Sequence, residues 1–172
     1  TGSDVNEGDI INYERAMGIK VNIPHDASAV EGSDLVVYSA AIFKDNCELA
    51  RAKELGIPCI ERSIMLGEVS RFFEKSICVS GTHGKTTTTS LIAKMLEESG
   101  KKVYLGGNIG RALLPIAEEV EEDDVAVVEL SSFQLISMKQ SPDVAVVTNV
   151  TPNHLDHHKD MQEYIDAKRN IL

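Results

Sequence analysis

A chain of 172 residues with 42% hydrophobic content can bury one ordinary core or two small ones, which argues against a disordered segment. A formal net charge of -10 and a pI near 4.9 exclude the basic footprint needed to neutralise nucleic-acid or anionic-lipid phosphates. No apolar run reaches the length of a membrane span, and residues 1 to 9 lack the parts of a secretory signal. The three cysteines, Cys47, Cys59 and Cys78, are widely spaced and odd in number, which predicts reduced thiols in a cytoplasmic protein.

Short apolar runs alternate with helix-period segments throughout, the pattern of a parallel sheet with helical crossovers, so the predicted class is α/β. Thr1-Gly2-Ser3-Asp4 reads as the end of a strand whose beginning is absent. A helix follows over Asp9 to Met17 with Gly18 at its C-cap, then a strand over Ile19 to Ile23, with His25 starting a turn. A strand over Asp34 to Ser39, a helix over Asn46 to Leu55 closed by Gly56, a strand over Ile57 to Ile60 and a helix over Ser63 to Phe72 complete the first series. The polar stretch Glu74-Lys75-Ser76 places a domain boundary near residues 72 to 76.

The second series opens with a strand over Ile77 to Ser80, a helix over Lys85 to Ser99 capped by Gly100, and a strand over Lys102 to Leu105. A helix near Arg111 to Glu119 precedes the acidic run Glu118 to Asp124, which reads as a solvated turn. Strands over Val125 to Leu130 and Val144 to Val150 and a helix from about Asp160 finish the chain. The helix is still open at Leu172, so the chain reads as a piece of something longer.

Between the strand Ile77 to Ser80 and its helix stands Gly81-Thr82-His83-Gly84-Lys85-Thr86. Two glycines at a helix N-terminus let backbone N–H groups converge on phosphate oxygens, and the helix dipole favours their charge. Lys85 would reach the β/γ-phosphates and the Thr86 hydroxyl would ligate Mg²⁺, which makes Gly81 to Thr87 the predicted ATP cradle. The spacing is tighter than the general G-x-x-x-x-G-K-[ST] pattern, but the strand before it and the apolar face Leu91, Ile92, Met95 and Leu96 after it supply the context.

The string Gly-Thr-His-Gly-Lys-Thr-Thr-Thr-Thr resembles the ATP-binding motif of the Mur ligases, the ATP-dependent amino-acid-adding enzymes of peptidoglycan precursor synthesis. Gly106-Gly107-Asn108-Ile109-Gly110, Glu129 to Leu135, Asn149 to Asp156 and Tyr164 to Lys168 extend the resemblance over nearly the whole chain. It implies a Rossmann-like UDP-substrate domain over residues 1–73, lacking its first strand, and the N-terminal part of a P-loop-type parallel-sheet ATPase domain over 74–172. Both domains would be incomplete, and a closing C-terminal domain would be missing. Residues 1 to 72 and His83 resemble the L-alanine-adding branch, whereas the chain from Gly106 onward resembles the D-glutamate-adding branch, which is favoured.

That resemblance implies phosphorylation of a substrate carboxylate by ATP, followed by displacement of phosphate by the amine of an amino acid. Lys85, His154 and Lys168 are the implied catalytic residues. Thr86, Glu129, His154 and a carbamylated Lys168 are the implied Mg²⁺ ligands. Asn153 replaces the aspartate common before the histidine. The UDP-linked muramoyl substrate would meet Ser3, Asp4, Ser39, Ala40, Asn108, Ser131 and Ser132. His157 and His158 read as surface residues. A nucleotide-binding module without turnover remains the alternative of another class.

Overall fold

The computed structural model describes every residue except Phe43, Lys44, Glu74, Arg111, Lys139 and residues 154–157. The chain forms two compact units, Thr1–Arg62 and Ser63–Leu172.

In the first unit β1 (Gly2–Ser3) pairs in parallel with β2 (Val21–Asn22), joined by α1 (Asp9–Ala16). A 3-10 helix, Ala27–Val30, follows with Asp26 as its cap. A second parallel pair, β3 (Val36–Tyr38) and β4 (Cys59–Glu61), is joined by α2 (Cys47–Glu54). The Asn46 side chain caps α2 by accepting the Glu48 and Leu49 N–H groups, and Gly18 and Gly56 take the left-handed conformation just past α1 and α2. The strands are shorter than their apolar runs, because only the central residues pair.

α3 (Arg62–Ser70) leads into the second unit, whose sheet has the order β6-β7-β5-β8, entirely parallel. Its strands are β5 (Lys75–Ser80), β6 (Val103–Gly107), β7 (Val125–Glu129) and β8 (Val144–Val147). β7 is buried at every position, as a central parallel strand must be, and packs with Val69, Phe73, Leu113, Leu130 and Leu135 in the main core. α4 (Lys85–Glu98) covers β7 through Ala93, with Ile92 and Leu96 beside it. α5 (Ser132–Ser137) and α6 (Met161–Arg169) pack on one another.

Several expectations need correction. β5 starts at Lys75 rather than at the expected Ile77, because Asp143 accepts both the N–H and the hydroxyl of Ser76 and so fixes the strand's start. The expected helix before Glu119 is a 3-10 helix, Leu114–Glu119, with a proline at its first turn; Arg111 lies outside the described residues. Asp124 is buried, accepting the Glu121 N–H and pairing with Lys102 at 3.2 Å, so the acidic run is not wholly solvated. α5 went unread.

Candidate functional site

β5 delivers the chain into the glycine loop and α4 takes it away. Gly84 stands at the α4 N-cap with φ 78, and Gly81 has φ 143, backbone that a side chain would strain. The loop-facing end of β7 contributes Glu129, 2% exposed. The Thr86 hydroxyl donates to Glu129 Oε2 at 2.8 Å, and the Asn108 amide donates to Oε1 at 3.1 Å. Asn108 is held by its own N–H, which donates to the Glu129 carbonyl at 2.9 Å. That approach requires Gly107, where a Cβ would stand 2.1 Å from the same carbonyl.

Among the described residues, no cation pairs with the Glu129 carboxylate. A buried anion with neutral partners alone is costly, and a hard-oxygen pair such as Glu129 and Thr86 beside a phosphate loop suits Mg²⁺, which takes one or two carboxylates and completes its shell with phosphate oxygens and water. The donor set therefore fits the ion.

Lys168, on α6, is 4% exposed and donates to the Gly81 carbonyl at 2.8 Å. Its ammonium lies 4.7 Å from the centre of the Tyr164 ring. Burial, followed by the charge of Lys85, pulls the Lys168 amine down to about 8. Lys85 itself donates to the Thr82 carbonyl at 3.1 Å. The Thr82 hydroxyl donates to the Thr151 carbonyl at 3.1 Å and sits 2.9 Å from the Tyr164 hydroxyl. With the Thr82 proton committed, Tyr164 is the donor.

Ser131 is the N-cap of α5 in a reciprocal capping box with Gln134. Ser132 Oγ lies 2.9 Å from His158 Nε2. His158, expected at the surface, is 3% exposed, stacked on Phe133 at 5.1 Å and set edge-on to Tyr164 at 5.2 Å. Its apolar ring faces make burial favourable once a hydroxyl satisfies a ring nitrogen. His154 and His157 lie outside the described residues.

In the first unit Ser3 donates to Glu48 Oε2 at 2.7 Å, which leaves His25 Nδ1–H to donate to Ser3 Oγ at 2.9 Å and to Glu48 Oε2 at 3.0 Å. His25 is thus part of a polar cluster rather than a plain turn residue. With Asp26, Arg15 and the segment 21–24 it lines a cavity of about 330 Å³. Asp4 accepts the Val5 and Asn6 N–H groups and closes a turn, and Ser39 accepts the Ala41 N–H beside exposed Ala40.

The structure thus joins Gly81 to Thr86, Asn108, Glu129 and Lys168 around one loop, and it adds Tyr164 and His158, which the sequence reading left without roles. The helical i,i+4 spacing of Tyr164 and Lys168 was the available signal for the first. None marked the second.

Residues 79–172 match the Mur ligase middle domain, and residues 1–74 match the Mur ligase family, catalytic domain. The UDP-N-acetylmuramoylalanine--D-glutamate ligase of Clostridium novyi is 41% identical over 170 residues, 96% of this chain and 36% of the relative. The chain therefore spans about a third of the length of the curated relatives it matches. Among solved structures, the UDP-N-acetylmuramate:L-alanyl-gamma-D-glutamyl-meso-diaminopimelate ligase of Neisseria meningitides covers 99% of the chain, with 58% of its own length matched, at TM-score 0.77 and 21% identity. The UDP-N-acetylmuramate-alanine ligase of Thermotoga maritima covers 99%, with 40% of its own length matched, at TM-score 0.73 and 26% identity. The chain belongs to the Mur ligase family.

Proposed function

We propose that the protein carrying this chain is an ATP-dependent amide ligase of peptidoglycan precursor synthesis that adds D-glutamate to UDP-N-acetylmuramoyl-L-alanine. The observation that carries this reading is the 41% identity to a D-glutamate ligase over 96% of the chain, an extent that takes in most of both units. The geometry around Glu129 supports it. Phosphoryl transfer needs positioning and charge neutralisation more than covalent chemistry, and the loop, Lys85 and Glu129 are placed for both.

In this reading the N–H groups at the start of α4 and the Lys85 ammonium hold the ATP phosphates. Thr86 and Glu129 hold Mg²⁺, with His154 and a carbamylated Lys168 at a second ion. Bound to these residues, Mg²⁺ would supply charge neutralisation for crowded phosphate and carboxylate oxygens. Asn108 orients the Glu129 carboxylate and presents its remaining polar atoms to the muramoyl substrate. Ser131, with the buried Ser132 behind it on His158, serves the peptide portion, while Ser3, Asp4, Ser39 and Ala40 serve the UDP end. The Lys168 amine, with its proton affinity lowered to about 8, is partly neutral near neutral pH. Its lone pair attacks CO₂, forming an N–C bond and releasing a proton, and the buried cation becomes an anion.

We place the reaction in the cytoplasm on the likeness to the Mur ligases. No helix among the described residues is long and apolar enough to cross a membrane. Phosphate release by the full-length protein with MgATP tests the reading. Release that requires D-glutamate and UDP-N-acetylmuramoyl-L-alanine together supports it. Release with L-alanine and UDP-N-acetylmuramate would assign the alanine-adding reaction instead, and release with neither pair would leave a nucleotide-binding module.

A further inference from the structure

The segment leaving β8 makes the densest set of bonds to the glycine loop, yet no role falls to it from the chemistry above. Asn149 accepts the Thr82 N–H on its main-chain oxygen at 2.9 Å. Its side chain accepts the His83 N–H on Oδ1 at 3.1 Å and donates from Nδ2 to the His83 carbonyl at 3.0 Å. One amide side chain thus satisfies both main-chain groups of one loop residue, as a neighbouring strand would. Thr148 adds a second donor to that carbonyl, its Oγ1 lying 2.7 Å away.

Gly81 makes room for this segment. A Cβ there would stand 1.9 Å from Thr148 Oγ1 and 3.1 Å from the Asn149 carbonyl, so the close approach demands glycine in addition to the φ of 143. The N–H groups of Thr82 and His83 are both consumed by Asn149. The donors left to an anion are the N–H groups of Gly84, Lys85, Thr86 and Thr87, which open α4 and have no helical acceptor. A loop free to turn its own N–H groups inward or outward would have to be ordered when phosphate arrives, and that cost would appear as lost affinity.

We propose that Thr148 and Asn149 are positioning residues that clamp the His83 peptide and hold the glycine loop preformed for the polyphosphate of a nucleotide. The nucleotide half of this statement rests on the ATP-binding reading above; the clamp itself does not. Asn149→Ala and the isosteric Thr148→Val, made in the full-length protein, test the two halves separately. Amide exchange followed by NMR should show the His83 N–H exchanging about tenfold faster in Asn149→Ala, with the Thr82 N–H, bound to a main-chain oxygen, still protected. Calorimetric titration should show MgATP affinity about tenfold weaker in Asn149→Ala and about threefold weaker in Thr148→Val, with affinity for the UDP-linked substrate unchanged. A merely structural loss would not confine itself to one ligand.

Unchanged His83 exchange in Asn149→Ala, or unchanged MgATP affinity in both folded variants, would overturn the clamp. Should Asn149→Ala not fold, Thr148→Val decides by the same affinity comparison. If the unsubstituted protein fails to bind MgATP, the ATP reading falls, and His83 exchange still judges the clamp.

Discussion

Glu129 is buried with a hydroxyl and an amide as partners and no cation among the described residues, so its ionised form carries an electrostatic cost that a bound cation would relieve. Glu129→Gln should therefore uncouple stability from activity. Turnover is expected to fall about 100-fold or more, as for removal of a group that organises transition-state charge, while unfolding in urea shows a gain of about 1 kcal/mol. A loss of both together would mean that the carboxylate is structural. Cys78 gives a second prediction. Burial, followed by the nearby Asp143 carboxylate, pushes its thiol up to about 12 from an ordinary 9.0, whereas Cys47 is exposed. Thiol reagents at pH 8 should label Cys47 in the folded protein and reach Cys78 only on unfolding. Because the folded-state value is raised, the Cys78 contribution to stability is complete below pH 9 and fades as pH climbs toward 12. At this scale the sequence was legible where motifs mark residues that the fold brings together, as with Thr86 and Glu129, 2.8 Å apart. It was silent at His158, whose burial comes from Phe133 and Tyr164 closing on it from two helices.

The elements that carry these residues were legible in kind and blurred at their ends. Apolar runs such as residues 34 to 39 outlast the pairing of β3, because pairing requires a partner strand and hydropathy does not. α5 shows a different failure. The spacing Ser131 to Gln134 is a capping-box signature, but the helix it opens is only six residues long, too short for its apolar period to stand out. Ser131→Ala should cost about 1 kcal/mol in thermal or urea unfolding, the usual cost of a lost N-cap. On α6, Lys168 predicts a pH effect with a definite sign. Its amine is depressed to about 8 from 10.5, so between those values the unfolded chain holds more protons than the folded one and stability rises with pH. In CO₂-free buffer, urea unfolding between pH 8 and 10 should show the unsubstituted protein gaining stability relative to Lys168→Met, a difference from which the opposing Cys78 effect cancels.

For the whole molecule, the parallel order β6-β7-β5-β8 sets the loop-facing ends of β5 and β7 side by side, and the glycine loop and Glu129 follow from that adjacency. Alternating apolar runs and helix-period segments foretold the parallel class; the strand order could not be read, because it depends on which β-faces the helices cover. Between the two ligase branches, Glu129 to Leu135 and the segment from Gly106 onward favoured D-glutamate addition, although His83 and the first 72 residues point the other way. Identity of 41% spread over 96% of the chain weighs for D-glutamate addition. The most direct measurement uses UDP-N-acetylmuramoyl-L-alanine labelled with ¹⁸O in its carboxylate, with MgATP, D-glutamate and the full-length protein. If Glu129, Lys85 and the loop serve carboxylate activation, the released phosphate carries ¹⁸O and its formation depends on D-glutamate. Unlabelled phosphate, or release indifferent to D-glutamate, would contradict the account.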